Sequence, residues 1–237
     1  MRIDEITNLD ALGFVAALLA GAWLLFRLVP GESRAAPRQS FTAAELAAYD
    51  SYLPKYFLAG AVALTLGGIH AVLKSLPRVR QWLLESGYAG HMVRDLSNTH
   101  LVIVIGGTIT ATGLCWYVLP RVAGRPLWSA GLATFSFWCT VLGAGGFYLY
   151  HLVVGLFVGA MAHGWMSLPS LDCMNTYGPI VLALSAMTMG IGYWTFVADV
   201  LATIFLSRRV VPRSPDHALA KFFAVGALGL FVGTVQG

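Results

Sequence analysis

Three of the six histidines in this sequence lie in or at the edge of long apolar runs, where an ionisable side chain is costly to bury. His70 and His151 lie inside such runs, and His100 begins one. A neutral imidazole is a common axial ligand of haem iron, with its other ring nitrogen held by a hydrogen-bond acceptor. We therefore predict that these histidines bind a cofactor, with haem iron as the metal. A hydrogen bond across helices is the alternative role for each.

The composition places these histidines in a membrane protein. Of the 237 residues, 57% are hydrophobic and only 11% are charged, and the mean hydropathy is +0.72. A soluble domain spends about a quarter of its residues on charged side chains, so a soluble enzyme and a nucleic-acid binder are both excluded. The three cysteines, Cys115, Cys139 and Cys173, form no CxxC pair, and we expect neither a disulfide framework nor a zinc site.

A spanning helix needs about 20 apolar residues, and the sequence offers six candidates at 10–29, 56–74, 98–119, 128–160, 177–206 and 220–236. The sequence thus predicts an all-α polytopic membrane protein with about six transmembrane helices. The first run follows Asp4, Glu5 and Asp10 rather than a basic segment, so we interpret it as a retained helix and not a signal peptide.

The distribution of Lys and Arg predicts the orientation. One side holds ten of these residues and the other holds five, namely Arg2, Lys74, Arg78, Arg80 and Arg94. The positive-inside rule makes the richer side cytoplasmic, with both termini periplasmic in a prokaryotic inner membrane. Segment 30–55 is then a cytoplasmic linker. Its Thr42 and Glu45 are spaced as a helix-capping pair and favour a short interfacial helix over 43–52, with a linker lying on the headgroups as the alternative.

With this orientation, His70, His100 and His151 fall in one layer near the outer surface. We expect His91 and His217 to lie in solvated loops and His163 to lie at the membrane interface. The helix that His100 begins carries small residues at Gly106, Gly107, Thr108, Thr110, Ala111, Thr112 and Gly113. Such a face lets either another helix or a flat macrocycle approach the backbone, and spacing alone does not separate the two.

These residues resemble the amino-terminal half of haem-copper oxidase subunit I, in the branch of the C-type cytochrome c oxidases and nitric oxide reductases. The matching features are Asn98-Thr99-His100, Gly106-Gly107, Ala111-Thr112, Trp116-Tyr117-Val118-Leu119-Pro120, Gly124-Arg125-Pro126-Leu127 and Ser136-Phe137-Trp138. The resemblance implies the family's helices one to five over 56–237, preceded by an extra amino-terminal helix over 1–29 and the linker over 30–55. The family's ligand histidine aligns near Ser97, so His100 lies about one turn deeper.

The resemblance also implies a function. His100 would bind a low-spin haem b, and the family's copper ligands and remaining haem ligands lie on later helices that this sequence does not match. We therefore expect a haem-binding subunit of a complex that reduces dioxygen or nitric oxide. Copper is not expected in this chain, which would need a second polytopic chain for the binuclear centre and would be inactive alone. A c-type cytochrome or quinol would donate the electrons.

Two other functions remain open at this stage. A small membrane cytochrome b would keep haem and pass electrons between quinone and a periplasmic enzyme, and a non-redox subunit would only anchor a larger assembly. Asp199 is the one acidic residue well inside a predicted span. It is a candidate for a proton path, and a hydrogen bond to Thr203 or to a neighbouring helix is the favoured alternative.

Overall fold

The computed structural model describes residues 41–166, 172–207 and 217–236. Within these ranges the chain forms helices and no strand. We number the helices α1 (Ala43–Ser75), α2 (Pro77–Glu85), α3 (Tyr88–Ala123), α4 (Ala130–Ala162), α5 (Asp172–Phe205) and α6 (His217–Gln236). The predicted all-α polytopic membrane fold is confirmed, while the predicted first span over 10–29 lies outside the described residues.

Four of these helices are long and apolar enough to cross a membrane, namely α1, α3, α4 and the 177–205 part of α5. They contain or closely match the predicted spans over 56–74, 98–119, 128–160 and 177–206. Helix α6 corresponds to the predicted span over 220–236, and its described apolar part is the shorter stretch Lys221–Leu230.

Helix α1 begins where the sequence predicts a cap. The Thr42 hydroxyl accepts a hydrogen bond from the Glu45 amide at 3.2 Å, and the Glu45 carboxylate accepts one from the Thr42 amide at 2.8 Å. The helix then continues through Pro54, so residues 43–52 do not form a separate helix. Its 33 residues span about 50 Å, against a hydrocarbon core of about 30 Å, so one end reaches beyond the core.

The segment between the second and third predicted spans is helical rather than an open loop. Helix α2 covers Pro77–Glu85, and Gly87 then turns the chain with a positive φ of 58°. Helix α3 begins at Tyr88, ten residues before the predicted start of its span. His91 is therefore in a helix, and the prediction that it lies in a loop is wrong.

Helix α3 contains two π-helical segments, Met92–Ser97 and His100–Ile109, whose turns are wider than those of an α-helix. In the second segment the Thr108 hydroxyl donates to the carbonyl of Ile103, five residues earlier, at 3.1 Å. The helix ends at Ala123, and the next residue, Gly124, adopts the left-handed conformation with φ 61° and ψ 32°.

A buried hydrogen-bond chain joins three of the spanning helices. The indole Nε1 of Trp116 on α3 donates to the Tyr56 hydroxyl on α1 at 2.9 Å. That hydroxyl donates in turn to the Ala133 carbonyl on α4 at 2.9 Å. Both side chains are fully buried. The chain therefore fixes α1, α3 and α4 to one another, which are the helices that carry His70, His100 and His151.

Candidate functional site

His100 on α3 and His151 on α4 lie next to each other. Their imidazole rings are nearly parallel, with an interplanar angle of 6° and centroids 6.3 Å apart. His151 is buried and His100 is half-buried. The structure thus brings together two of the three histidines that the sequence selects.

Both rings are oriented by the same kind of hydrogen bond. Nδ1 of His100 lies 2.7 Å from the Leu96 carbonyl, and Nδ1 of His151 lies 2.8 Å from the Phe147 carbonyl. A carbonyl oxygen only accepts, so each Nδ1 carries the proton and each Nε2 keeps its lone pair. This tautomer is the one in which a histidine binds a metal through Nε2. The donor chemistry of His100 and of His151 therefore fits a haem iron.

Phe147 occupies the space beside and between these two imidazoles. Its ring centroid is 4.0 Å from that of His100 and 4.3 Å from that of His151, closer than the histidines are to each other. A macrocycle ligated by both histidines would need the phenyl ring to move away. The side-chain packing therefore favours a single histidine of the pair as a ligand.

His70 on α1 has different surroundings. Its ring faces Tyr148 on α4 with centroids 6.4 Å apart, and its Nδ1 is buried without a hydrogen-bond partner among the described residues. Tyr148 follows Phe147 in the sequence, so the two aromatic side chains leave α4 in different directions. His70 shares an aromatic environment on α4 with the histidine pair, but its ring contact is not with either of them.

The small residues of α3 divide between helix packing and a groove. Gly106 and Gly113 of α3 face the side chains of Leu64 and Tyr56 on α1. A Cβ atom at Gly60 on α1 would overlap the Thr110 hydroxyl on α3. The side of α3 that carries Gly106, Thr110 and Gly113 therefore packs on α1. Gly107, Thr108, Ala111 and Thr112 instead line a groove of about 450 Å³, closed on its other sides by residues of α5 and α6.

His100 does not line this groove, because its ring lies against α4. In an α-helix, residues three and four apart share a face, and His100 and Gly107 would be aligned. The π-helical turns that begin at His100 change this relationship.

The family model for cytochrome c and quinol oxidase polypeptide I matches residues 52–236. The chain belongs to this family. No curated protein and no solved structure matches the chain. The family is that of haem-copper oxidase subunit I, so the resemblance to that subunit is confirmed. Its members bind haem and work in multi-subunit membrane complexes.

The remaining histidines of this oxidase-family chain have other partners. His163 stacks on Trp82 with centroids 5.7 Å apart, and its Nε2 lies 3.1 Å from the Ser86 hydroxyl. His91 pairs with Asp95 at 2.9 Å. His217 is the first residue of α6 rather than part of a loop, and its side chain lies outside the described part of the chain.

Asp199 on α5 is completely buried and holds the connection between α3 and α4. Its Oδ1 accepts a hydrogen bond from the Ser129 amide at 2.9 Å, and one turn further Thr203 accepts one from the Trp128 amide at 3.0 Å. Asp199 Oδ2 has no partner among the described residues. The sequence analysis gives a hydrogen bond to Thr203 or to a neighbouring helix as the alternative role. The structure shows a hydrogen bond from the amide of Ser129, the residue before α4, and none to Thr203.

Sequence reasoning missed the aromatic residues that surround the histidines. Phe147 contacts both rings of the pair, and Tyr148 contacts His70. The run Phe147-Tyr148-Leu149-Tyr150-His151 carries a signal, because Phe147 and His151 are four positions apart and therefore share one helix face.

Proposed function

We propose that this chain is the haem-binding subunit of a respiratory haem-copper oxidoreductase that reduces dioxygen or nitric oxide. A second polytopic chain would supply the copper ligands and the remaining haem ligands, and a c-type cytochrome or a quinol would donate electrons. The proposed location is a prokaryotic inner membrane, with the histidine pair near the periplasmic surface.

The observation that supports this proposal is the tautomer in which the structure holds His100, with Nε2 left without a partner among the described residues. Its Nδ1–H is held by the Leu96 carbonyl, and no described residue occupies its Nε2. The ring is half-buried in a chain of the oxidase subunit I family. A ring fixed in this tautomer offers a lone pair without a further proton loss, which an axial ligand requires.

Three residues of this chain, His100, Leu96 and Asp199, have distinct roles in the proposal. His100 holds haem b through Nε2, and Leu96 orients the imidazole through its carbonyl. When bound, the haem supplies one-electron transfer between the donor and the binuclear centre. Asp199, with its unpartnered Oδ2, remains a candidate for proton entry from the cytoplasmic side.

A small membrane cytochrome b is the second candidate function. The parallel rings of His100 and His151 support it, because both histidines present a free Nε2 from neighbouring helices. The position of Phe147 between the rings argues against it. A non-redox structural subunit is the third candidate, and it requires no haem at all.

The visible spectrum of the purified complex tests the proposal. We expect a low-spin b-type signal in the wild type that vanishes or becomes high-spin in His100→Ala. In His163→Ala the signal should persist, since His163 stacks on Trp82 and contacts no ring of the pair. An unchanged spectrum in His100→Ala would reject both haem-binding functions and leave the structural subunit. Turnover by this polypeptide purified to homogeneity would reject the need for a partner chain.

A further inference from the structure

A second groove, separate from the histidine pair, is formed by α1, α2, α4 and the start of α3. It has a volume of about 360 Å³, and its walls are mostly aliphatic: Leu66, Ile69, Leu73, Leu83, Leu152 and Leu156. Ile69 and Leu73 are each about half exposed, at 53% and 51%. Because α1 is a membrane-spanning helix, the open side of this groove faces lipid, and its walls suit an acyl chain.

A buried polar side chain lies in the wall of this mostly aliphatic groove. His70 is 9% exposed, and its Nδ1 makes no well-formed hydrogen bond among the described residues, with the backbone of Val93 the polar group beside the ring. A buried polar nitrogen normally has a partner, because leaving it without one costs free energy. An oxygen atom of a bound molecule would supply the missing partner.

One basic side chain lines the end of the groove, and two exposed arginines lie next to it on α2. Lys74 lies one turn beyond His70 and lines the groove, while Arg78 and Arg80 flank the groove-lining Val79 on α2. No carboxylate pairs with any of the three within the described part of the chain. The nearby Arg94 differs, since Asp95 lies 2.7 Å from its guanidinium. The Lys74 ammonium donates to the Arg94 carbonyl at 2.8 Å, which fixes it at this position.

We propose that this groove binds one anionic phospholipid. One acyl chain lies along the aliphatic walls, and the phosphate faces Lys74, Arg78 and Arg80. His70, one helical turn and thus about 6 Å deeper than Lys74, is at the level of the glycerol ester oxygens and hydrogen-bonds to one of them.

A neighbouring groove provides an internal comparison. It lies between α1, α3 and α4, has a volume of about 500 Å³ and contains one cation, Lys55. The Lys55 ammonium is within 3.4 Å of the Thr134 hydroxyl and packs over the Tyr52 ring. This groove has no cluster of basic side chains, so we expect no preference for anionic lipid there.

Native mass spectrometry of the complex, purified and then delipidated in detergent, tests the proposal. The probes are palmitoyl-oleoyl phosphatidylglycerol and phosphatidylcholine with the same acyl chains. We expect one molecule of phosphatidylglycerol to bind at least about tenfold more tightly than phosphatidylcholine. Arg78→Gln with Arg80→Gln should abolish this preference, at about fivefold for each arginine. His70→Phe should weaken both lipids alike, because the ester oxygens are common to both.

Two matched substitutions keep the proposal testable if a polar variant fails to assemble. Ile69→Trp fills the proposed groove, and Val62→Trp fills the comparison groove from a similarly exposed position on the same helix. Only Ile69→Trp should remove the bound phosphatidylglycerol. Equal binding of the two lipids by the wild type would overturn the proposal, as would loss of phosphatidylglycerol in Val62→Trp alone.

Discussion

Gly143 on α4 lies directly against the backbone of Met189 on α5, so that a Cβ atom at Gly143 would overlap the Met189 amide nitrogen. The same Cβ atom would lie 2.7 Å from the Ser185 carbonyl oxygen. These obstacles are backbone atoms, which a change of rotamer cannot move. Close approach of two helix backbones at small residues is a general means of association in membranes, and here it fixes α5 to the helix that carries His151.

We therefore expect Gly143→Ala to separate α4 from α5 and to destabilise the fold by about 1–3 kcal/mol, the usual cost of overpacking. Gly145 is the matched control, because a Cβ atom there meets nothing within 4 Å. The measurement is the temperature at which the detergent-solubilised protein loses its monodisperse peak in size-exclusion chromatography. Equal melting temperatures for the two variants would contradict this account of the interface.

The sequence predicts the spans well wherever hydrophobicity alone decides them. The predicted span over 128–160 differs by two residues at each end from α4, which covers Ala130–Ala162. A run of apolar residues does not indicate where a helix continues beyond the hydrocarbon core of the bilayer. For this reason the sequence pattern predicts a linker for the first 13 residues of α1 and a loop for the first ten of α3.

The site is less predictable than the spans, because its geometry depends on helix type and on contacts across helices. The depth argument predicts that His70, His100 and His151 share one layer. The structure brings His100 and His151 together, while the His70 ring contacts Tyr148. Nothing in the residue pattern predicts the π-helical turns over His100–Ile109, which separate the His100 ring, packed against α4, from the groove along Gly107. The small residues that the sequence places on α3 do lie at close contacts, but only the structure shows that one part of them is covered by α1 and another part lines a groove.

A second prediction concerns the carboxyl group of Asp199. Asp199→Ala leaves the Ser129 amide without its acceptor, and we expect destabilisation of about 1–3 kcal/mol. Asp199→Asn keeps an oxygen acceptor and should retain most of the stability. In the assembled complex, Asp199→Asn also tests the proton path, because it removes the titrating group without removing the hydrogen bond. Slow turnover in a stable Asn variant would support a proton path, whereas normal turnover would leave Asp199 with a structural role.

A third prediction concerns the topology. Ala44 and Glu85 are exposed. Ala44 lies near the start of α1, before the membrane-spanning part of that helix, and Glu85 is the last residue of α2, which follows it. Glu85 is preferable to its neighbour Ser86, which is only 7% exposed. In a variant without the three native cysteines, an impermeant thiol reagent added to intact cells should label Glu85→Cys and not Ala44→Cys. The reverse pattern would place the histidine pair on the cytoplasmic side.

The last prediction separates the two haem-binding functions through the histidine pair. If a partner chain supplies the second ligand, only His100→Ala should abolish the low-spin signal, and His151→Ala and His70→Ala should keep it. If both ligands come from this chain, His151→Ala should abolish the low-spin signal as well.

Phe147→Ala gives a second measurement that separates the two functions, because the centroid of the phenyl ring lies 4.0 Å from that of His100 and 4.3 Å from that of His151. Removing the ring should increase haem retention if both histidines bind the iron, since the macrocycle would no longer have to displace it. With a partner-supplied ligand, the Phe147→Ala spectrum should stay low-spin without a gain in haem content per chain, measured as pyridine haemochrome against protein concentration.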